Sequence, residues 1–225
     1  IIINKKITLN SNGTANQTII EGDSIEPTVY IGGNGSVKNV KIDGISITGG
    51  LNCIRTQKHK DISGLSIKDC TLSDSEDVSV YLDPHNYSDI PPIRPGTDIF
   101  SSPVVLNNNH IRGGIYFRFY TYEIYGVDVN AQLKLINNDI DTAFLDGSIA
   151  VIINNNLFHS LGMTYSSDVE ISNNIFENPW EERYGIYLWS LDGLSPVKNV
   201  NINHNTISGY SSFAVGSGVS GQGIV

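Results

Sequence analysis

The sequence predicts an all-β chain wound as a solenoid, a single-stranded parallel β-helix with an internal asparagine ladder, and three observations carry that reading. The first is an eight-residue pattern, apolar, any, apolar, any, polar, Asn, any, apolar, that returns along most of the 225 residues. It reads VKIDGISI from Val40, LSIKDCTL from Leu65, VVLNNNHI from Val104, LKLINNDI from Leu133, AVIINNNL from Ala150, VEISNNIF from Val169 and VNINHNTI from Val200. Its sixth position is then Ile45, Cys70, Asn109, Asn138, Asn155, Asn174 and Asn205. A buried Asn at a strand bend donates to one neighbour and accepts from the next, so copies stacked at the strand spacing of about 4.8 Å satisfy one another. The second observation is the set of intervals between these positions, 25, 39, 29, 17, 19 and 31 residues. The shortest hold three short strands and tight turns but no crossover helix, and the longer ones add loops to the same minimal coil. The general preference for right-handed crossovers makes the helix right-handed. The third is composition: only five alanines occur, while Asn, Ser, Thr, Ile, Val and Gly dominate, which opposes helix and favours strands with turns.

Residues 1–31 read as two edge coils, INKKITL, a Gly/Asn/Thr loop, then QTIIEG and TVYIGG. Each ladder strand is followed by a second strand with a face of its own, beginning at Leu51, Val78, Ile115, Ala143, Met163, Ile186 and Phe213. Strict alternation turns Leu51, Cys53, Val80, Leu82, Ile115, Phe117, Ile186 and Leu188 inward. It leaves Asn52, Ile54, Ser79, Tyr81, Asp83, Tyr116, Arg118, Tyr120, Phe144, Asp146, Tyr187 and Trp189 outward. A solenoid grows by stacking, so residues 1–225 are expected to form one domain. The chain opens inside a strand and stops at GQGIV without a polar closing element, which is expected of a fragment of a longer secreted or surface protein whose flanking domains cover the open ends.

The net charge of −9 is uneven: residues 1–118 hold 11 Lys+Arg and 12 Asp+Glu, and residues 119–225 hold 3 and 11. An anionic ligand should prefer the first half, and no basic stripe large enough for nucleic acid exists. No signal peptide, lipid motif or membrane span is visible. Cys53 and Cys70 sit at apolar positions and read as buried thiols, with a disulfide between neighbouring coils left open.

The repeated strand, Asn turn and apolar strand resemble the right-handed parallel β-helix proteins of the pectate-lyase-like class, which include alginate and chondroitin lyases, mannuronan C5-epimerases and many cell-surface repeat proteins. That resemblance covers nearly the whole chain. Within it, YLDPHN from Tyr81 to Asn86 is similar to the Tyr and Asp-Pro-His catalytic segment of mannuronan C5-epimerases and related alginate lyases. The family has one more residue between Tyr and Asp, and an acidic residue commonly follows its His where Asn86 stands here.

The outward aromatics are expected to form a flat platform for sugar rings or to pack down the long loops. Tyr81, Asp83 and His85 form the densest cluster, with Arg118 one coil on and Arg55, Lys58, His59 and Lys60 one coil back. Such a patch suits removal of the C5 proton of a uronate, which becomes acidic once a cation or acid neutralises the adjacent carboxylate. Expulsion of the glycosidic O4 then gives a lyase, and reprotonation on the other face gives a C5-epimerase. The resemblance implies Tyr81 and His85 as the acid/base pair, Asp83 holding the carboxylate or orienting His85, Arg118 on the carboxylate and Lys58 as the preceding cation. Arg55, Tyr116, Tyr120, Asp146, Tyr187 and Trp189 are the expected substrate-binding residues. The expected partner is an anionic polysaccharide, the expected location extracellular or cell-surface, and no cofactor is required. Calcium is the open alternative, with oxygens from Ser73 to Asp77 or from Asp139, Asp141 and Asp146. Two other functions fit the same residues: a non-catalytic surface or adhesion module, and an inverting glycoside hydrolase using Asp83 and Asp146.

Overall fold

The computed structural model describes the chain apart from residues 14, 36, 59–60, 84–101, 119–132, 148, 165, 178–183, 190–196, 211–212 and 219–225. The described chain is all-β, with a single 3-10 turn at Ala15–Gln17. Every strand pairing in it is parallel, and none joins strands adjacent in sequence. An eight-stranded sheet forms a first face from Thr8–Asn10, Lys41–Asp43, Ser66–Lys68, Val104–Asn107, Leu133–Ile136, Ile149–Asn154, Ser167–Ser172 and Lys198–Asn203. A fifteen-stranded sheet folds into second and third faces. The fold is set by the long strands Asp139–Asp146 and Leu157–Thr164, whose first halves continue one face and second halves the other. The chain visits the three faces in the same order repeatedly, an arrangement compatible with a parallel β-helix.

The eight-residue pattern explains this geometry residue by residue. Its first, third and eighth positions supply the core: Val40, Ile42 and Ile47 in one copy, Val169, Ile171 and Phe176 in another, all buried. Phe158 and Phe176 stack in adjacent rounds at 5.3 Å. The fifth position turns the chain from the first face to the second and always has positive φ: Gly44, Asp69, Asn108, Asn137, Asn155, Asn173 and His204. That left-handed conformation costs an ordinary side chain about 1–2 kcal/mol, which Gly avoids and Asn or Asp tolerates. The sixth position points inward, and from Asn109 onward it carries a carboxamide that meets its own kind.

A row of hydrogen bonds runs through these inward amides. Asn109 donates to Oδ1 of Asn138 at 2.9 Å, Asn138 to Asn156 at 2.9 Å, Asn156 to Asn174 at 3.0 Å and Asn174 to Asn205 at 2.9 Å. Each Oδ1 also accepts the backbone N–H of the residue before it in the row, and Cys70 N–H donates to Asn109 at 3.0 Å. One assignment made from sequence is corrected. The row passes through Asn156, whereas Asn155 is the exposed turn residue with φ 56°. Alignment from Ala150 is one residue early, because Val151, not Ala150, pairs with Leu133 and Val169. Three consecutive asparagines made both alignments fit.

Cys53 and Cys70 are free thiols buried in different corners, donating to backbone carbonyls of Ser73 at 3.2 Å and Lys68 at 3.1 Å. Burial raises the pKa of both above the ordinary thiol value. Among the described residues, no helix is long and apolar enough to cross a membrane.

Candidate functional site

The third face is built from Val29–Ile31, Ile54–Thr56, Val80–Leu82, Ile115–Arg118, the second halves of Asp139–Asp146 and Leu157–Thr164, and Tyr184–Trp189. Apolar side chains such as Val80, Leu82, Ile115, Phe117 and Leu145 are buried, so the residues between them must face outward. Parallel register aligns those residues into one column: Tyr30, Arg55, Tyr81, Tyr116, Phe144, Gly162 and Tyr187. Alternation counted from Leu51 misplaces the second of these strands by one. Ile54 is fully buried and pairs with Val80, and Arg55 takes the outward place. The offset arises at the preceding corner, where Gly49 and Gly50 both have positive φ and Asn52 turns into the interior. Ser79, also expected outward, is buried in the same corner one round later.

The aromatic rings of the column do not lie flat as a platform. Tyr81 and Tyr116 stack face to face at 5.1 Å, Tyr116 and Phe144 do the same at 5.6 Å, and the Arg55 guanidinium caps the series 4.8 Å above the Tyr81 ring. Strand spacing of about 4.8 Å forces this, since neighbouring rings that close must stand on edge and stack. The stack consequently presents ring edges and hydroxyls outward. Gly162 interrupts the column: a Cβ there would lie 2.8 Å from the Phe144 ring, which leans over the glycine.

Beside the aromatic column runs a charged one. Arg118 pairs with Asp146 in register, with Nε 3.3 Å from Oδ2. Asp146 also accepts from Thr164 Oγ1 at 2.7 Å and lies 3.5 Å from the Tyr116 hydroxyl. Asp83 follows Leu82, whose partner Phe117 precedes Arg118, so Asp83 stands alongside Arg118. Although expected outward, Asp83 is fully buried, and neither carboxylate oxygen has a hydrogen-bond partner among the described residues. Its backbone N–H is held by Thr56 Oγ1 at 3.0 Å, and the Lys58 ammonium lies 4.0 Å from Oδ2. Burial, reinforced by the negative charge of Asp83, raises the Tyr81 pKa above the ordinary phenol value, with Arg55 and Arg118 pulling the other way. Tyr81 therefore rests as the neutral phenol, a proton donor.

The structure thus brings Arg55, Lys58, Tyr81, Asp83, Tyr116, Arg118 and Asp146 to one face, with Tyr187 further along it. His85 and Tyr120 lie outside the described residues, as do His59 and Lys60. Trp189 pairs with Thr164 through its backbone, and its side chain lies outside the described set. Sequence reasoning missed Tyr30 and Gln57, which with Arg55 and Lys58 line a cleft of about 710 Å³ at one end of the column. The signal was present, because TVYI repeats the apolar-Tyr-apolar pattern of VYL.

Of the acidic groups considered for calcium, Asp139 and Asp141 stand apart from Asp146. Asp139 and Asp141 lie on the second face, where Arg112 binds both, at 3.3 and 2.7 Å, and His110 pairs with Asp139 at 2.8 Å. Asp146 is on the third face. In the other stretch, Asp74 is occupied by Ser73 and Thr48. Among the described residues no three His, Cys, Asp or Glu side chains are placed to hold a metal ion.

No protein-family model matches the chain, and no curated protein sequence matches it.

Proposed function

We propose that the chain is a right-handed, single-stranded parallel β-helix of the pectate-lyase-like kind, stacked on its asparagine ladder, and that its third face acts on a uronate-containing polysaccharide as a lyase or C5-epimerase at the surface of, or outside, a cell. The observation that carries this reading is the neighbourhood of Asp83: a buried carboxylate with no hydrogen-bond partner among the described residues, near the protonated Tyr81 phenol that Arg55 caps, with the Lys58 ammonium 4.0 Å away and Arg118 alongside. A buried unsatisfied carboxylate destabilises the fold, and such groups persist where a ligand satisfies them. In this mechanism Arg118 and Lys58 neutralise the substrate carboxylate, which acidifies C5–H. Tyr81, resting as the phenol, delivers a proton, to the new C5 face in an epimerase or to the departing O4 in a lyase. His85 removes the C5 proton as the base of the pair.

One observation favours a second reading, a non-catalytic glycan-binding module. Arg118 is already engaged by Asp146, and the aromatic rings are occupied by each other. Proton NMR of uronate polymers incubated with the protein in D2O separates the two. Loss of the H5 signal without cleavage marks an epimerase and new vinylic signals mark a lyase, both abolished in His85→Ala and in Tyr81→Phe. New reducing ends without vinylic signals would move the assignment to an inverting hydrolase using Asp83 and Asp146. Binding without any of these changes would leave the module.

A further inference from the structure

The third face is electrostatically lopsided along its length. We infer that its substrate is a heteropolysaccharide with an acidic sugar at the Arg55 to Arg118 end and uncharged sugars at the Phe144 to Tyr187 end, rather than a run of uronates. The inference rests on the polysaccharide reading of the same face. From Tyr30 to Tyr187 the outward column covers six strand spacings, roughly 29 Å, enough for several pyranose rings laid along it.

Arg55, Lys58 and Arg118 all stand in the first part of that length, Lys58 beside Asp83 and Arg118 beside Asp146, which leaves this end one cation in excess among these five groups. Beyond Asp146 the described positions on that face are Gly162, the buried Thr164 and Tyr187, none of them cationic. The sequence has little with which to change this, since only Lys134, Arg183 and Lys198 follow Arg118, against 11 Asp+Glu. Lys134 and Lys198 belong to first-face strands, Leu133–Ile136 and Lys198–Asn203, and Arg183 directly follows Glu181 and Glu182 in the chain.

A carboxylate docked at this end would lose hydration without meeting a cation among the described residues, and would face a half-molecule with a charge balance of −8. A neutral sugar meets no such cost, because Tyr187 and Phe144 are uncharged aromatic residues with apolar ring surface. Charge therefore sets the kind of polymer and the end of the face at which its acidic sugar lies.

The test is calorimetric titration at low ionic strength with three oligosaccharides of equal length. One is made wholly of uronates, one carries a single glucuronate in each tetrasaccharide repeat, and one is a neutral β-glucan. The sparsely acidic chain should bind roughly ten-fold or more tightly than either of the others. Tyr187→Arg should narrow its lead over the all-uronate chain several-fold by placing a cation at the deficient end. All-uronate binding equal to or tighter than the sparse chain overturns the inference and leaves the polysaccharide reading standing. So does neutral binding as tight as the sparse chain. Failure of all three to bind overturns both.

Discussion

At the residue scale, two asparagines that are neighbours in sequence have opposite physical roles. Asn156 is buried: its Oδ1 accepts the backbone N–H and Nδ2 of Asn138, and its Nδ2 donates to the carbonyls of Leu135 and Asn154 and to Oδ1 of Asn174. Asn155 is exposed, holds a left-handed turn, and its side chain donates to Asn137 Oδ1 at 2.7 Å. Asn156→Ala should cost about 3 kcal/mol in urea unfolding, since it strands an N–H and a carbonyl in the interior. Asn155→Gly should stay within about 0.5 kcal/mol, because glycine accepts the same φ. Equal effects at the two positions would sink the assignment of the row. Asp83 supports a prediction of opposite sign. Asp83→Asn removes a buried charge that has no hydrogen-bond partner among the described residues and only the Lys58 ammonium at 4.0 Å, so it should raise stability by about 1 kcal/mol while, on the proposed function, lowering turnover or glycan affinity. A destabilised variant would show that Asp83 is structurally paired.

At the scale of the element, each strand is only a few residues long, so the corner before it decides which side chains face outward. A one-residue shift exchanges the two sides of a strand entirely, and that is what happens between Leu51 and Ile54. Counting alternation forward through Gly49, Gly50 and Asn52 assumes extended backbone where the chain bends. Tyr81, Tyr116 and Arg118 were legible because their strands alternate cleanly. Arg55 was not assigned its outward place, since the corner is invisible in composition. Ile54→Ala should therefore cost about 2–4 kcal/mol, and Arg55→Ala under about 1 kcal/mol, measured by thermal or urea unfolding. The reverse ranking would restore the strict alternation. The on-edge stacking of the rings belongs to this scale as well. Sequence places aromatics on one face, but strand spacing alone decides that they stack on each other.

At the scale of the whole molecule, stability should be bounded on both sides of neutral pH. Burial holds the Cys53 and Cys70 thiols above their ordinary value of 9.0, and the Tyr81 phenol above 10.0. The folded state then binds more protons than the unfolded state above pH 9, so stability falls as pH rises past that point. On the acid side, Asp61 lies below its ordinary 3.8, where hydrogen bonds from Lys38 and Ser63 outweigh the opposing effect of burial. Asp69 is lowered mainly by the Asn108 amide. Their contribution is present above pH 3.8 and is lost as pH falls through the lower folded values. Because both lie near the surface, that loss should be small and reduced further by salt. Denaturant midpoints recorded from pH 3 to pH 10.5 check both limbs, and Cys53→Ala with Cys70→Ala should flatten the alkaline one below pH 10.

Sequence by itself determined the all-β character, the parallel repeat and the inward amides, because these depend on local periodicity and on a side chain that must find its own copy one round later. It also placed Tyr81, Asp83, Arg118 and Asp146 near one another, since stacking converts distance along the chain into roughly 5 Å steps across it. Only the tertiary structure decided the rest. It selected Asn156 over Asn155, turned Arg55 outward and Ile54 inward, buried Asp83, and sent Asp139 and Asp141 to a different face from Asp146. The physical reason is common to all four: local pattern states which residues avoid water, whereas the corners, whose dihedrals depend on the rounds above and below, set where each strand begins.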